Sequence, residues 1–270
     1  MNIQQLGVGI GYREQFKSEL FLNRKAVDFL EIIGDRYLDS NYQLQQELAL
    51  LDAHFPLIPH FINLSLGSAE GIDTDYLAKV AKLIKQLNPA WWSEHLCFTK
   101  AGGIDIGHLA PLPYTKEAVD IACRNINLVQ SYIETPLIIE NITYMVNIPG
   151  AEMSEAQFIS EVVEKTNCGL LLDITNLYIN SVNHNYNIAE FLSQLPLEKT
   201  VQLHFVGGYS HDGVLIDSHS QATPPEVWEL MKEVIPRTNV KGIVLERDEN
   251  IPLFAELVCE LNTARNIANS

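Results

Sequence analysis

A single (β/α)8 barrel spanning residues 1–270 is the fold class this sequence predicts, and three observations carry it. Eight short apolar or β-branched runs recur: Leu6–Gly11, Asp28–Ile33, Leu57–Asn63, Ala90–Leu96, Pro136–Asn141, Gly169–Ile174, Thr200–Phe205 and Lys241–Glu246. They lack the alternation of a half-exposed sheet, as parallel strands covered on both faces do. Amphipathic segments separate them, and 270 residues over eight units leaves roughly 34 per strand–helix repeat.

The intervening segments read as helices by the spacing of their apolar residues. Tyr76–Leu87 places Leu77, Val80, Ala81, Ile84 and Leu87 on one face, and Lys116–Tyr132 and Ser154–Thr166 repeat the pattern. Pro224-Pro225 opens a further helix, Glu226–Ile235. Phe98–Tyr114 and Val206–Pro224 read as long loops. A doubly wound open sheet is the alternative, but no Gly-x-Gly-x-x-Gly follows any strand, so its dinucleotide signature is missing.

Charge and cysteine usage narrow the function classes. With 18 Lys+Arg against 34 Asp+Glu the net charge is −16, which repels phosphate backbones and acidic membrane surfaces. Nucleic acid and membrane are therefore not expected partners. Cys97, Cys123, Cys168 and Cys259 form no Cys-x-x-Cys pair, which argues against a thiolate metal site and for reduced thiols in a cytosol. Neither a targeting segment over Met1–Gly11 nor an apolar run near the ~18 residues of a membrane span is present. The expected location is the cytoplasm.

In such a barrel the chemistry sits at the C-terminal ends of the strands. Glu31 closes the second run, His60 the third, Glu94-His95 the fourth, Glu140-Asn141 the fifth, Asp173 the sixth, His204 the seventh and Glu246 the eighth. Asn176, Asp217 and His219 follow the sixth and seventh. One buried histidine or carboxylate is ordinarily a satisfied core group. Several carboxylates on one rim without recurring Lys or Arg partners require another source of positive charge. The metal-ligand set is thus His60, His95, Glu140, Asp173, Asn176, His204, Asp217, His219 and Glu246, more than one four- to six-coordinate ion can use. Two or three ions are expected, with Glu140 or Glu246 as bridges and Glu140, Asp173 and Glu246 as the catalytic carboxylates. Imidazole and carboxylate without thiolate suit iron, manganese or zinc alike.

The strings HFINLSLGS from His60, SEHLCF from Ser93, HLAPLPYT from His108, PLIIENITYM from Pro136, GLLLDITNLYIN from Gly169, LIDSH ending at His219 and LERDENIP from Leu245 resemble the multinuclear non-heme iron-dependent oxidative enzymes, the family of the methanobactin-biosynthesis iron oxidase. The resemblance runs in order from Val8 to Pro252. It implies a barrel of the triose-phosphate-isomerase type, two or three Fe ions, and O2-dependent oxidation of residues, often cysteine, in a ribosomally made precursor peptide. A partner protein often delivers that peptide. Carried over by motif, the family's ligands fall on the nine residues already chosen. The match departs at Gly208 and Gln221, where the family often has histidine, at Asp35-Arg36 in place of an acidic-Asn pair, and at Arg247, where an uncharged residue is frequent. The competing reading is a redox-inert divalent-metal barrel, a sugar isomerase or phosphoesterase of the xylose isomerase and endonuclease IV type. A third is a non-catalytic metal-binding protein.

Overall fold

All eight runs become strands of one closed parallel barrel in a computed structural model that describes residues 3–270. Met1 and Asn2, the start of the segment read for a targeting signal, lie outside the described residues. In chain order the strands are β1 (Gly7–Gly11), β2 (Leu30–Ile33), β3 (Leu57–Phe61), β4 (Trp92–His95), β5 (Phe98–Ala101) and β6 (Ile104–Ala110). They continue with β7 (Leu137–Glu140), β8 (Gly169–Asp173), β9 (Thr200–Phe205), β10 (Gly207–His211), β11 (Val214–Gln221) and β12 (Gly242–Leu245). The barrel order is β1-β12-β9-β8-β7-β4-β3-β2, closing on itself, while β5–β6 and β10–β11 stand apart as two antiparallel hairpins.

A period of two along each strand builds the interior in layers. Phe29, Ile58, Trp91, Ile138, Leu171, Val201 and Val244 form a buried apolar plug. Side chains two residues apart on a strand point the same way, about 6.6 Å further along. Phe29 is therefore followed by Glu31, Ile58 by His60, Trp91 by Ser93 and His95, Ile138 by Glu140, Leu171 by Asp173, and Val244 by Glu246. The plug keeps water out from below, and the polar layer sits on it. Two strands depart from this: β9, where a register irregularity against β8 lets both Val201 of the plug and His204 of the polar layer face inward, and β1, with Gly7, Gly9 and Gly11 at the corresponding positions. A Cβ on Gly9 would lie 2.6 Å from the Phe29 carbonyl oxygen and 2.8 Å from its ring, so glycine is what lets Phe29 fill the plug.

The second apolar face of each strand packs against the helices α1 (Lys17–Leu22), α2 (Asp35–Leu38), α3 (Tyr42–Asp52), α4 (Thr74–Leu87), α5 (Lys116–Tyr132), α6 (Glu155–Thr166), α7 (Ile174–His184), α8 (Ile188–Gln194), α9 (Pro225–Val234) and α10 (Phe254–Ala268). Their ends are chemically marked. Asp73 accepts from the N–H groups of Asp75 and Tyr76, Thr115 from Ala118, and Ser154 with Gln157 forms a capping box.

The two segments expected as loops are corrected here, because each carries a hairpin. Gly102-Gly103 (φ +62° and +71°) joins β5 to β6, and Asp212-Gly213 (φ +50° and +83°) joins β10 to β11. Two consecutive positive φ angles are what a tight type I′ connection demands, and they match the twist of the flanking strands. Asn183 of α7 anchors the second hairpin, exchanging 2.9 Å hydrogen bonds with both backbone groups of Leu215.

Candidate metal centre

Three groups of mutually close donor atoms line the barrel mouth: His60, His95 and Glu140; Glu140, Asp173, His204 and Glu246; and His219, Glu246 and Asp248. Glu140 belongs to the first two and Glu246 to the last two, so the groups form a chain joined by two carboxylates.

The first group is set by three neighbouring strands. His60 Nδ1 lies 2.7 Å from Ser93 Oγ, and His95 Nδ1 lies 3.1 Å from the Phe61 carbonyl oxygen. That carbonyl can only accept, so His95 Nδ1 carries the proton and its Nε2 presents a lone pair in the neutral ring. The two Nε2 atoms are 3.3 Å apart, with Glu140 Oε2 at 3.3 Å from His60 and 3.4 Å from His95. Donors bound at ~2.1 Å to one ion in tetrahedral array are about 3.4 Å apart, so this triangle has the dimensions of one coordination face.

The second group is organised by Glu31. Its Oε1 lies 3.0 Å from His204 Nε2, which directs Nδ1 towards Glu246 Oε2 at 3.1 Å and Glu140 Oε1 at 3.3 Å. Gln202 supports Glu31 with a 2.5 Å bond and is itself held by the Trp91 indole N–H at 2.7 Å. Carboxylates that fix an imidazole in this way recur behind metal-bound histidines. Asp173 ends β8 and also caps α7: Oδ1 accepts from the Asn176 N–H at 2.8 Å, leaving Oδ2 for the mouth. The Asn176 amide donates to the Asn141 carbonyl at 3.0 Å, which leaves Oδ1 free.

The third group sits on β11 and the segment after β12. His219 has φ +51°, a costly conformation for a side-chain-bearing residue, yet its carbonyl accepts from the N–H groups of Asp248 (3.0 Å) and Glu249 (3.3 Å). Its Nδ1 lies 3.2 Å from Asp248 Oδ2 and 3.7 Å from Glu246 Oε2, and its Nε2 lies 2.9 Å from Asp217 Oδ1. Thr143 Oγ1 donates to the other Asp217 oxygen at 3.2 Å.

The donor set fits cations. Glu140 Oε2, Asp173 Oδ2, Asn176 Oδ1, His204 Nδ1 and Asp217 Oδ1 are all buried without an aligned hydrogen-bond partner. Orphaned buried polar atoms are costly, and here they converge. Among the described residues, the only Lys or Arg paired with a carboxylate of the three groups is Arg13, at Asp248. With no cation in place, protons would have to serve instead. Burial lowers the His95 pKa, but Glu140 outweighs it and the net result is about 9. His204 and His219 likewise rise well above the usual range through their carboxylate neighbours, while burial and the Glu140 charge push Asp173 up to about 8. Glu140 and Glu246 are held low, against the effect of burial, by the facing imidazoles.

Seven of the nine expected ligands therefore enter the three groups; Asn176 and Asp217 border them with a free oxygen each. Two participants were not in the expected set. Asp248 stands two residues after Glu246, and the same period that picked the other strand ends points to it. Glu31 was visible as a strand end but is now seen to hold His204. Glu94, the other acidic strand end, accepts from the Leu64 and His95 N–H groups (3.0 and 2.8 Å) and takes no part in the three groups.

The departures noted in the sequence have structural explanations. Arg247 turns away, bonding the Ser220 carbonyl at 3.1 Å and Glu260 at 3.2 Å. Asp35 ties β3 to α4 by accepting from Ile62, Asn63 and Tyr76. Gly208 has no room for a side chain, since a Cβ there would lie 2.1 Å from the Ile216 carbonyl oxygen. A histidine there would have to displace the β11 backbone.

The fold resembles solved structures of low sequence identity. A D-tagatose 3-epimerase-like protein superposes with a TM-score of 0.63 at 16% identity, covering 97% of this chain and 98% of that one. Endonuclease IV from Thermus thermophilus gives 0.57 at 12%, covering 97% and 99%. At such identity the likeness speaks for the barrel alone. Sequence relatives are nearer: a UPF0276 protein of Rhizorhabdus wittichii is 36% identical over 91% of this chain and 88% of its own length. Another, of Caulobacter vibrioides, is 35% identical over 96% and 93%. The profile of the RiPP precursor modification enzymes MbnB/TglH/ChrH, which act on ribosomally made peptides, matches residues 7–269. This chain belongs to that family.

Proposed function

We propose that the protein is an O2-dependent oxidase with two or three iron ions that modifies residues, cysteine foremost, of a ribosomally made precursor peptide in the cytoplasm. The observation that carries the reading is the sharing of Glu140 and Glu246 between neighbouring donor groups, which suits a cluster of adjacent ions rather than isolated ones. Iron rests on the family, because the donor types suit manganese and zinc as well.

His60, His95 and Glu140 would hold one ion, Glu140, Asp173, His204 and Glu246 a second, and His219, Glu246 and Asp248 a third. Asn176 and Asp217 offer further oxygens from the side. When bound, iron supplies the capacity to bind O2 and accept electrons from the substrate. The protein's own part is positioning. Glu31 holds the His204 ring, Ser93 and the Phe61 carbonyl hold His60 and His95, and the plug beneath excludes water from the lower side. Asp173 has one carboxylate oxygen fixed by the α7 N-terminus, which turns the other, the one offered to the second ion, towards the mouth.

The substrate's route is read from the cavities. The β5–β6 hairpin and the segment after it line one of about 350 Å³, between Phe98, Lys100 and Leu112. A larger one, about 1030 Å³, runs between α1 and the segment after β12, lined by Phe16, Glu19, Leu253 and Phe254, and reaches Asp248. This second cavity touches the third donor group at Asp248 and is where a peptide segment would lie.

Protein purified anaerobically from iron-replete cells should hold more than one iron per chain. Its optical spectrum should change on admission of O2, and it should consume O2 with a cysteine-containing precursor peptide encoded nearby. Stoichiometric zinc, with no O2 uptake after iron addition, would favour the redox-inert reading instead.

A further inference from the structure

The three donor groups differ in one respect. The first two have no Lys or Arg against them among the described residues, whereas the third carries a permanent cation. Arg13, two residues beyond β1, pairs through Nη2 with Asp248 Oδ1, and its Nη1 donates to the Tyr12 carbonyl at 2.8 Å. The guanidinium is mostly buried, its side chain 14% exposed. A Cβ placed on Gly11 would meet Arg13 Nη1 at 3.4 Å and Glu246 Cγ at 3.7 Å, so the guanidinium and the shared carboxylate lie on the same side of β1. Asp248 is thus held between a guanidinium on Oδ1 and the His219 imidazole on Oδ2, the latter 3.2 Å away.

Resting on the multinuclear reading above, we propose that Arg13 is a built-in competitor for the third ion. A divalent ion entering between His219, Glu246 and Asp248 meets a like charge a few ångströms away, and that charge cannot be discharged because arginine does not lose its proton in proteins. The ion must also draw on a carboxylate whose other oxygen is already neutralised. Neither cost applies at the other two groups. The centre is therefore graded: two positions fill first, and the third fills only when the metal supply overcomes Arg13. With the third position empty, Arg13 and His219 together neutralise Asp248 beside Glu246.

The test is a metal titration, independent of turnover. Chelator-stripped protein is titrated anaerobically with Mn(II), and bound ions per chain are counted against free Mn(II) for wild type, Arg13→Gln, Arg13→Lys and Asp248→Asn. Wild type should show two tight ions and a weaker third. Arg13→Gln should tighten the third by roughly ten- to a hundredfold, the range over which groups beside metal ligands tune affinity, and leave the first two unchanged. Arg13→Lys keeps the charge and should behave like wild type, while Asp248→Asn should lose the third ion alone. A third ion equally weak in Arg13→Gln, or weaker, would overturn the proposal and assign Arg13 to orienting Asp248. Absence of the two tight ions in wild type would instead overturn the multinuclear reading, and this proposal with it.

Discussion

Replacing Glu140 by Gln tests the shared-carboxylate arrangement more sharply than any change at a terminal ligand. Glu140 Oε2 faces His60 and His95 at 3.3 and 3.4 Å, and Oε1 faces His204 at 3.3 Å, so one substitution strikes two donor groups. His95→Ala strikes one. A ligand held at a hundred times its Kd stabilises the folded state by about 2.7 kcal/mol. Losing one ion should therefore cost about 2.7 kcal/mol and losing two about 5.4 kcal/mol of the metal-dependent stability. At 2–4 °C per kcal/mol for a chain somewhat under this size, that is a loss of roughly 5–10 °C against roughly 10–20 °C in Tm. Scanning calorimetry of stripped and Mn(II)-loaded protein, with elemental analysis of the same samples, reads both quantities. Stripped Glu140→Gln should itself melt lower than stripped wild type, because the imidazoles that hold Glu140 low lose their partner, so the comparison is made on the metal-dependent gain within each variant. Equal losses of ions and of Tm in Glu140→Gln and His95→Ala would refute the sharing of Glu140.

Three further outcomes follow from the same geometry. Metal-stripped protein should lose stability as pH rises from about 6.5 to about 9: His95 moves from 6.5 to about 9 and Asp173 from 3.8 to about 8, so the folded state holds protons that the unfolded chain has released. Saturating Mn(II) should flatten most of that slope in thermal melts across pH. The part remaining should include the buried Glu155 carboxyl, pushed up to about 8 by burial with only a Tyr144 hydroxyl as partner, and Glu155→Gln should remove that part; an unchanged slope with metal would mean that the ions do not replace these protons. Glu31→Gln should weaken ion binding about ten- to a hundredfold although Glu31 lies in none of the three donor groups, and wild-type affinity in a titration would show that His204 needs no such support. Gly208→His should destabilise by roughly 1–3 kcal/mol, the usual cost of overpacking, and lower occupancy at His219; an unchanged Tm and ion count would show that the β10–β11 hairpin absorbs the side chain.

The barrel was legible because burial on both faces leaves strands as plain apolar runs, and closure needs eight of them. Lys116–Tyr132 matches α5 end to end, and the strand ends at Glu140, Asp173 and Phe205 agree with the sequence reading to within one residue. The hairpins were hidden for the opposite reason. β6 is solvent-exposed over most of its length and β10 over its last three residues, so no apolar pattern marks them. Their signal was in the turns, Gly102-Gly103 and Asp212-Gly213, which between two short segments specify a two-residue connection. Asp248 was missed because it follows the last strand rather than ending it. Arg13 was missed because nothing in the sequence puts residue 13 beside residue 248; only the closure of β1 against β12 does.

Strand register explains why the donors meet in overlapping groups. His95 pairs with Glu140 across β4 and β7, and Asp173 with His204 across β8 and β9, so the donor side chains are set side by side by the sheet itself. Going round the barrel, β12, β9, β8, β7, β4, β3 and β2 supply Glu246, His204, Asp173, Glu140, His95, His60 and Glu31 in unbroken succession. An arc of adjacent strands gives each inner carboxylate a donor neighbour on both sides, and two oxygens let it serve both. Only β1 breaks the arc, with glycine at its inward positions. The space that a side chain at Gly11 would enter is bordered by the Arg13 guanidinium and Glu246. The cavity of about 1030 Å³ bordered by Phe16 and Glu19 touches the donor groups at Asp248, the end of the chain nearest Arg13. On the reading proposed here, the end of the ion chain nearest β1 is therefore the end that meets the peptide, and it is also the end that Arg13 guards.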